Sequence, residues 1–226
     1  MDTRFLDESA RAQNREFYDA IAAEYAEERA WIPHNEQAIR SNLLKRVKPY
    51  LRTGDKALVV GTGTGRDQDL LQETGSECYG IDLSSAMLAE AAGRIDDHLL
   101  QGDASLLPFK DDSFDFVYCE AAGEHMDKND LARVLPEFKR VIKKDIGRKA
   151  HFLFSVRLGD GHVVRVYDTI NSIVRPKVFT TYGQEAVNKI FWKNDMRIIE
   201  QQRTFGGTPS VQYTFPWLDT ILKINF

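Results

Sequence analysis

Short apolar runs rich in β-branched residues alternate along the chain with longer stretches in which apolar side chains recur every three or four positions. This alternation predicts an α/β fold, a parallel sheet covered on both faces by helices. The apolar runs predict strands over Ala57–Val60, Glu77–Ile81, His98–Gln101, Phe114–Cys119, Ala150–Val156, Met196–Gln201 and Trp217–Ile224. Helical periodicity predicts helices near Asp67–Glu73, Ser84–Gly93, Leu131–Lys143 and Gln184–Trp192, with two more, near Glu8–Ala30 and Asn35–Tyr50, ahead of the first strand. That opening section belongs to no strand–helix–strand unit and reads as a helical cap over residues 1–53. Residues 54–226 then form the core of one domain. Arg157–Thr181 follows neither period and is expected to be a mobile or partly helical insertion.

Composition narrows the classes of function. The chain of 226 residues carries a net charge of −4 with 28% charged residues, so no global positive field draws a polyanion, and nucleic acid is a disfavoured partner. No apolar run approaches the roughly 18 residues that a membrane span requires, and the first residues lack the apolar core of a secretory signal. A cytoplasmic protein is expected. The two cysteines, Cys78 and Cys119, lie in strand-like apolar runs and read as reduced, buried thiols. The five histidines are too scattered for a metal site.

Chemistry enters at Ala57-Leu-Val-Val-Gly61-Thr62-Gly63-Thr64-Gly65-Arg66-Asp67, where a buried strand passes into a helix through three alternate glycines. Without Cβ atoms such a turn brings backbone N–H groups close to a ligand. The dinucleotide spacing G-x-G-x-x-G would place its last glycine at Arg66, which weakens a nicotinamide reading. Asp82 ends the next strand, 21 residues after Gly61. It either accepts hydrogen bonds from both hydroxyls of a ribose or caps the helix that follows. Asp103 ends the strand after that, again at the sheet edge where ligands of open α/β folds bind, and is placed to accept from the exocyclic amine of an adenine. The pair describes a nucleoside.

From Asp55 to Gln201 the chain resembles the class I S-adenosylmethionine-dependent methyltransferases of small-molecule type. The resemblance is carried by LVVGTGTGRD, YGIDLSSAMLAEA, GDASLLPFKDDSFDFVYC and TTYGQEAVNKIFWKN. It implies a doubly wound, mostly parallel seven-stranded sheet with its last strand antiparallel. It also implies S-adenosylmethionine bound at Gly61, Thr62, Gly63 and Gly65, with Asp82 on the ribose, Asp103 near the adenine amine and Leu83 and Ala104 flanking the ring. Ala121 would lie by the methionine moiety, and Tyr18 or Tyr25, on an N-terminal helix folded over the donor, by its carboxylate. An alternative for that helix is docking for stability alone. The chain departs from the family at Val59, where an acid usually stands in the first strand.

The fourth strand ends in Glu120-Ala-Ala-Gly-Glu124-His125, so Glu120, Glu124 and His125 are the candidates for a general base, with Glu120 alternatively a ligand for the donor's amine. Related enzymes carry a histidine pair at this place, of which His125 matches the second member. Neither an N/D-P-P-Y sequence nor a proline before Cys119 is present, so methylation of nucleic-acid bases is not indicated. The run Lys139 to Lys149 reads as a solvated basic face. The expected activity is methyl transfer to an O, N or C nucleophile of a small molecule. The rivals are a nicotinamide-dependent oxidoreductase and a non-catalytic S-adenosylmethionine-binding protein.

Overall fold

A nine-stranded sheet forms the centre of the computed structural model, which describes residues 4–30, 42–95, 98–144, 151–170, 173–204 and 216–224. In chain order the elements are α1 (Arg4–Ala30), a short α2 (42–47), β1 (Lys56–Val60), α3 (Arg66–Gln72), β2 (Glu77–Asp82), α4 (Ser85–Ala91), β3 (Leu99–Gln101) and β4 (Phe116–Cys119). A 3-10 turn (Gly123–His125) follows, then α5 (Lys128–Val141), β5 (His151–Leu158), β6 (Val163–Ile170), β7 (Ile173–Tyr182), α6 (Gln184–Lys193), β8 (Met196–Thr204) and β9 (Trp217–Ile224).

Seven strands lie in the order β3-β2-β1-β4-β5-β9-β8, with β9 antiparallel to both its neighbours. These are the seven strands that the apolar runs predict, and the last of them is the antiparallel one. Strands in such a sheet are buried on both faces and read as near-continuous apolar runs. Leu58, Val60, Val117 and Cys119 point to the face covered by α5 and α6, where Phe138 and Phe191 pack. Ala57, Val59, Phe116 and Tyr118 point to the other face, against Leu43 and Val47 of α2 and Leu70 and Leu71 of α3. Both cysteines are buried and unpaired with one another, and burial pushes the Cys78 thiol up to about 11 and the Cys119 thiol higher still.

The insertion is a correction. Arg157–Thr181 is neither mobile coil nor helix over its described residues: it completes β5 and forms the antiparallel hairpin β6–β7. Val163–Ile170 and Ile173–Tyr182 are separated by two residues, the spacing of a tight hairpin. β9 holds one edge of β5 along 151–157, whereas β4 leaves the other edge at Phe154, so β7 pairs there at Arg157 and Leu158. The hairpin therefore stands over the carboxyl end of β4. The predicted helix Asn35–Tyr50 is seen over 42–47, with its earlier part outside the described residues.

The described part of the basic run is paired: Lys139 with Asp195, Arg140 with Glu137 and Asp111, Lys143 with Asp115, and Lys144 with Asp112 at 4.0 Å. Arg148 and Lys149 lie outside the described residues.

Candidate active site

The loop between β1 and α3 is built on left-handed glycines, with φ of +72° at Gly61, +56° at Gly63 and +79° at Gly65. An added side chain at Gly61 would strike Ala122 Cβ at 2.4 Å, so this residue permits the loop to approach the end of β4. Gly63 differs: a Cβ there would meet nothing within 4 Å. Its missing side chain leaves open space on the exposed side of the loop, which is what close approach of a ligand requires.

Asp82 braces this loop. One carboxylate oxygen accepts from the Gly63 N–H at 2.8 Å and the other from the Ser84 N–H at 2.9 Å. The cap of α4 is Ser84, whose hydroxyl accepts from the Met87 N–H, so capping does not explain Asp82. Burial raises its carboxyl above the ordinary range, opposed by those N–H donors. The Leu83 N–H acts on it as well, and of the roughly four lone-pair sites of a carboxylate at least one remains for a further donor. Asp103 closes the adjacent strand, accepting from the Ser105 N–H at 2.7 Å and from Arg11 at 3.1 Å. Leu83 and Ala121 are exposed, while Ala104 is half-buried and packs on the main core. Ala121 adopts φ +59°, a conformation costly for a residue with a Cβ, and its N–H is fixed by the Ser155 hydroxyl at 2.9 Å.

The departure at Val59 is met from the neighbouring strand. Tyr118, its register partner, is buried on the same face and donates its hydroxyl to Glu120 and, at 3.0 Å, stands beside Asp67 at the start of α3. Arg46 lies 3.4 Å from Glu120 and 3.4 Å from Asp219. Two carboxylates therefore flank the loop from below without an acid in β1. Burial raises Glu120, with Arg46 pulling the other way, and this anchored carboxylate is not a free base.

α1 runs across the carboxyl edge of the sheet, tied between Arg11 and Asp19 to several elements distant in the chain. Arg11 binds Asp103 and Asp130, Asn14 exchanges two hydrogen bonds of 2.8 Å with the backbone of Val178, and Asp19 accepts from the Ser84 hydroxyl at 2.6 Å. Phe17, Ile21 and Ala22 pack on Met87, with Tyr18 and Tyr25 beside them. Sequence reasoning missed Arg11, Asn14, Asp19 and Arg46, because each finds its partner far away in the chain.

Tyr18 and His125 meet here. The His125 Nδ1 lies 2.8 Å from the Val178 carbonyl, which can only accept, so Nδ1 carries the proton. Nε2 is then the acceptor for the Tyr18 hydroxyl at 2.8 Å. Burial lowers His125 to about 4, with Glu124 opposing and Lys177 adding to the fall, so the ring is neutral at pH 7. Glu124 is buried and paired with Arg157. Its own carboxyl lies below the ordinary range because His125, Lys177 and Arg157 outweigh burial. Of the three base candidates only His125 keeps an unprotonated nitrogen directed at the cleft, and it does so through Tyr18. Tyr25 stands edge-on to Tyr18, 6.4 Å between centroids. Among the described residues no group of three metal-ligating side chains occurs, and no helix is long and apolar enough to cross a membrane.

The geometry fits the donor named by the resemblance: the open side of Gly63, an acid with a lone pair to spare at the end of β2 and a second at the end of β3. It fits a dinucleotide poorly. Asp67 and Asp69 occupy the first turn of α3, where they repel a pyrophosphate. Asp82→Ala should weaken S-adenosylhomocysteine binding by about 1.5–3 kcal/mol, measured by calorimetry on a variant that still melts cooperatively. Unchanged affinity would remove Asp82 from the site.

Comparison with known proteins agrees. Residues 58–145 match the family model described as a methyltransferase domain. The chain is 32% identical over 100 residues to an uncharacterised methyltransferase of Bacillus subtilis, covering 42% of this chain and 39% of that one. It is 40% identical over 93 residues to a demethylmenaquinone methyltransferase of Thermotoga maritima, covering 40% of each. The chain thus matches about two fifths of the length of these relatives. The fold resembles the Burkholderia thailandensis 1,6-didemethyltoxoflavin-N1-methyltransferase, crystallised with S-adenosylhomocysteine, with TM-score 0.67 at 14% identity over 97% of this chain and 90% of that one. Sheet order, glycine loop and domain match agree: residues 58–145 carry a methyltransferase domain, and the fold around it is like that of S-adenosylmethionine-dependent methyltransferases of known structure.

Proposed function

We propose that this chain transfers a methyl group from S-adenosylmethionine to a small-molecule nucleophile, and that His125 takes the acceptor's proton through Tyr18. The observation that carries this reading is the Tyr18–His125 pair, anchored at the Val178 carbonyl, with Tyr18 on the helix that packs on Met87 and bonds Ser84 next to Asp82. Bound there, S-adenosylmethionine supplies a methyl group on a sulfonium centre, released as a neutral thioether leaves when the acceptor's lone pair takes the carbon.

The residues of the chain do the rest. Gly63 and Asp82 hold the donor, α1 excludes water, and the Tyr18 oxygen accepts the acceptor's proton while its own passes to His125 Nε2. The imidazolium so formed is held by the Val178 carbonyl on Nδ1 and faces Glu124 Oε1 at 3.5 Å. Alignment and exclusion of water are most of what such a displacement requires. Small-molecule acceptors are also what the names of the related demethylmenaquinone and toxoflavin enzymes indicate for those proteins. The acidic composition supports a non-nucleic acceptor, and the placement in the cytoplasm remains the expectation from sequence.

Formation of S-adenosylhomocysteine across a panel of phenols, amines and activated carbon acids tests the reading. The pH profile tests the base. His125 lowered to about 4 by burial stays unprotonated down to that value. With an acceptor that does not titrate in this range, kcat/KM should therefore be flat from pH 8 to about 5 and fall only toward 4. A half-maximum near 6.5, the ordinary histidine value, would contradict a buried, neutral His125 as the base, and a fall that persists unchanged in His125→Ala would assign it to another group.

A further inference from the structure

Beside the Tyr18–His125 pair the charges do not balance. Glu124 is the one carboxylate in a cluster with two cations: Arg157, bonded to it through Nε, and Lys177, whose Nζ reaches its other oxygen only at 3.9 Å. His125 is neutral. The next acid toward Tyr18 is Asp82, which is bonded to the Gly63 and Ser84 N–H groups on the glycine-loop side and pairs with neither Arg157 nor Lys177. Among the described residues the cluster therefore carries one surplus positive charge. It is not a solvated surface: the side chains of Glu124, Arg157 and Lys177 are 4%, 17% and 23% exposed.

Aromatic rings surround the two cations. Arg157 is sandwiched between Trp217 at 4.4 Å and Phe179 at 5.1 Å, and Lys177 Nζ stands 5.2 Å from the Tyr18 ring and 5.7 Å from Phe17. Ring faces offset part of the cost of a half-buried cation, but a surplus charge held away from water is compensated fully only by an anion. Arg157 is committed to Glu124 and to its two rings. Lys177, beyond hydrogen-bond distance from Glu124, has donors to give.

We propose that the methyl acceptor bears an ionised carboxylate, and that Lys177 recognises this group and so places the nucleophile at Tyr18. The proposal rests on the methyl-transfer reading above and names its substrate class. Lys177 is on β7, in the hairpin that stands over the end of β4, so the insertion supplies the specificity and the sheet supplies the donor site.

The test is binding, not turnover. 4-Hydroxybenzoate and salicylate, and their uncharged carboxamides, are titrated by calorimetry into the protein saturated with S-adenosylhomocysteine. The acids should bind at least about tenfold more tightly than the amides, roughly 1.4 kcal/mol. Lys177→Met should reduce that gap to under about twofold, and Lys177→Arg should retain most of it, both variants keeping wild-type affinity for S-adenosylhomocysteine and a cooperative melt. Amides that bind as well as the acids, a gap that survives in Lys177→Met, or no binding of either acid to the saturated protein would each overturn the proposal. Failure of the wild type to bind S-adenosylhomocysteine would instead overturn the methyl-transfer reading itself.

Discussion

Gly63→Val should abolish donor binding while leaving a folded protein. Valine at this position projects its branched side chain into space where nothing of the chain lies within 4 Å, so the native packing does not reject it. On the proposed reading, what it would meet is the donor. The left-handed φ of +56° adds strain, of order 1–3 kcal/mol for a residue with a Cβ, which should lower the melting temperature by a few degrees without loss of cooperativity. Affinity for S-adenosylhomocysteine should fall by more than about 100-fold, roughly 2.7 kcal/mol. Gly61→Val is the contrasting variant: its Cβ would overlap Ala122 at 2.4 Å, and the end of β4 would have to move. A Gly63→Val protein that binds normally would reduce the glycine loop to a turn.

Tyr18→Phe should separate binding from chemistry. The ring keeps its edge-on contacts with Phe17, Tyr25 and His125, so α1 keeps its packing and donor affinity should stay within about twofold. The hydroxyl that connects His125 Nε2 to the cleft is lost. With an acceptor whose nucleophile must shed a proton, kcat should fall by about 100-fold, the lower end of what a general base contributes. With an acceptor already ionised at the nucleophilic atom, the loss should be under about tenfold. An equal loss for both acceptors would assign Tyr18 to positioning alone. Burial raises the Tyr18 hydroxyl well above its ordinary value, with the Glu124 charge adding to it, so this side chain does not ionise by itself at neutral pH and passes protons only together with His125.

The sheet, and the placing of the glycine loop and two acids at its carboxyl edge, were legible because their signals are local. The glycine loop, Asp82 and Asp103 are each adjacent to the strand that positions them, and a strand buried on both faces announces itself as an apolar run. The hairpin was legible in principle: Val163–Ile170 and Ile173–Tyr182 are two β-branched runs with two residues between them. Its charged residues, among them Lys177, mask the alternation. The acceptor side was legible only as a set of candidates. His125 alone cannot be told from a structural histidine, because its role depends on Tyr18, 107 positions away, and on the Val178 carbonyl, 53 positions away. The paired state of Glu120 and Glu124 depends on Arg46 and Arg157, which no motif marks. The aromatic residues Phe179 and Tyr182 are buried, and Trp217 is half-buried against Arg157, with Phe179 and Trp217 on segments that carry no local motif. Phe205, Tyr213 and Phe215 lie outside the described residues.

Donor identity is the claim on which the rest depends, and one calorimetric comparison tests it most directly: S-adenosylhomocysteine and NADH titrated separately into the same preparation. Saturable heat at one site per chain with S-adenosylhomocysteine, lost in Gly63→Val, and none with NADH is the result expected. Saturable binding of NADH with none of S-adenosylhomocysteine would contradict the account.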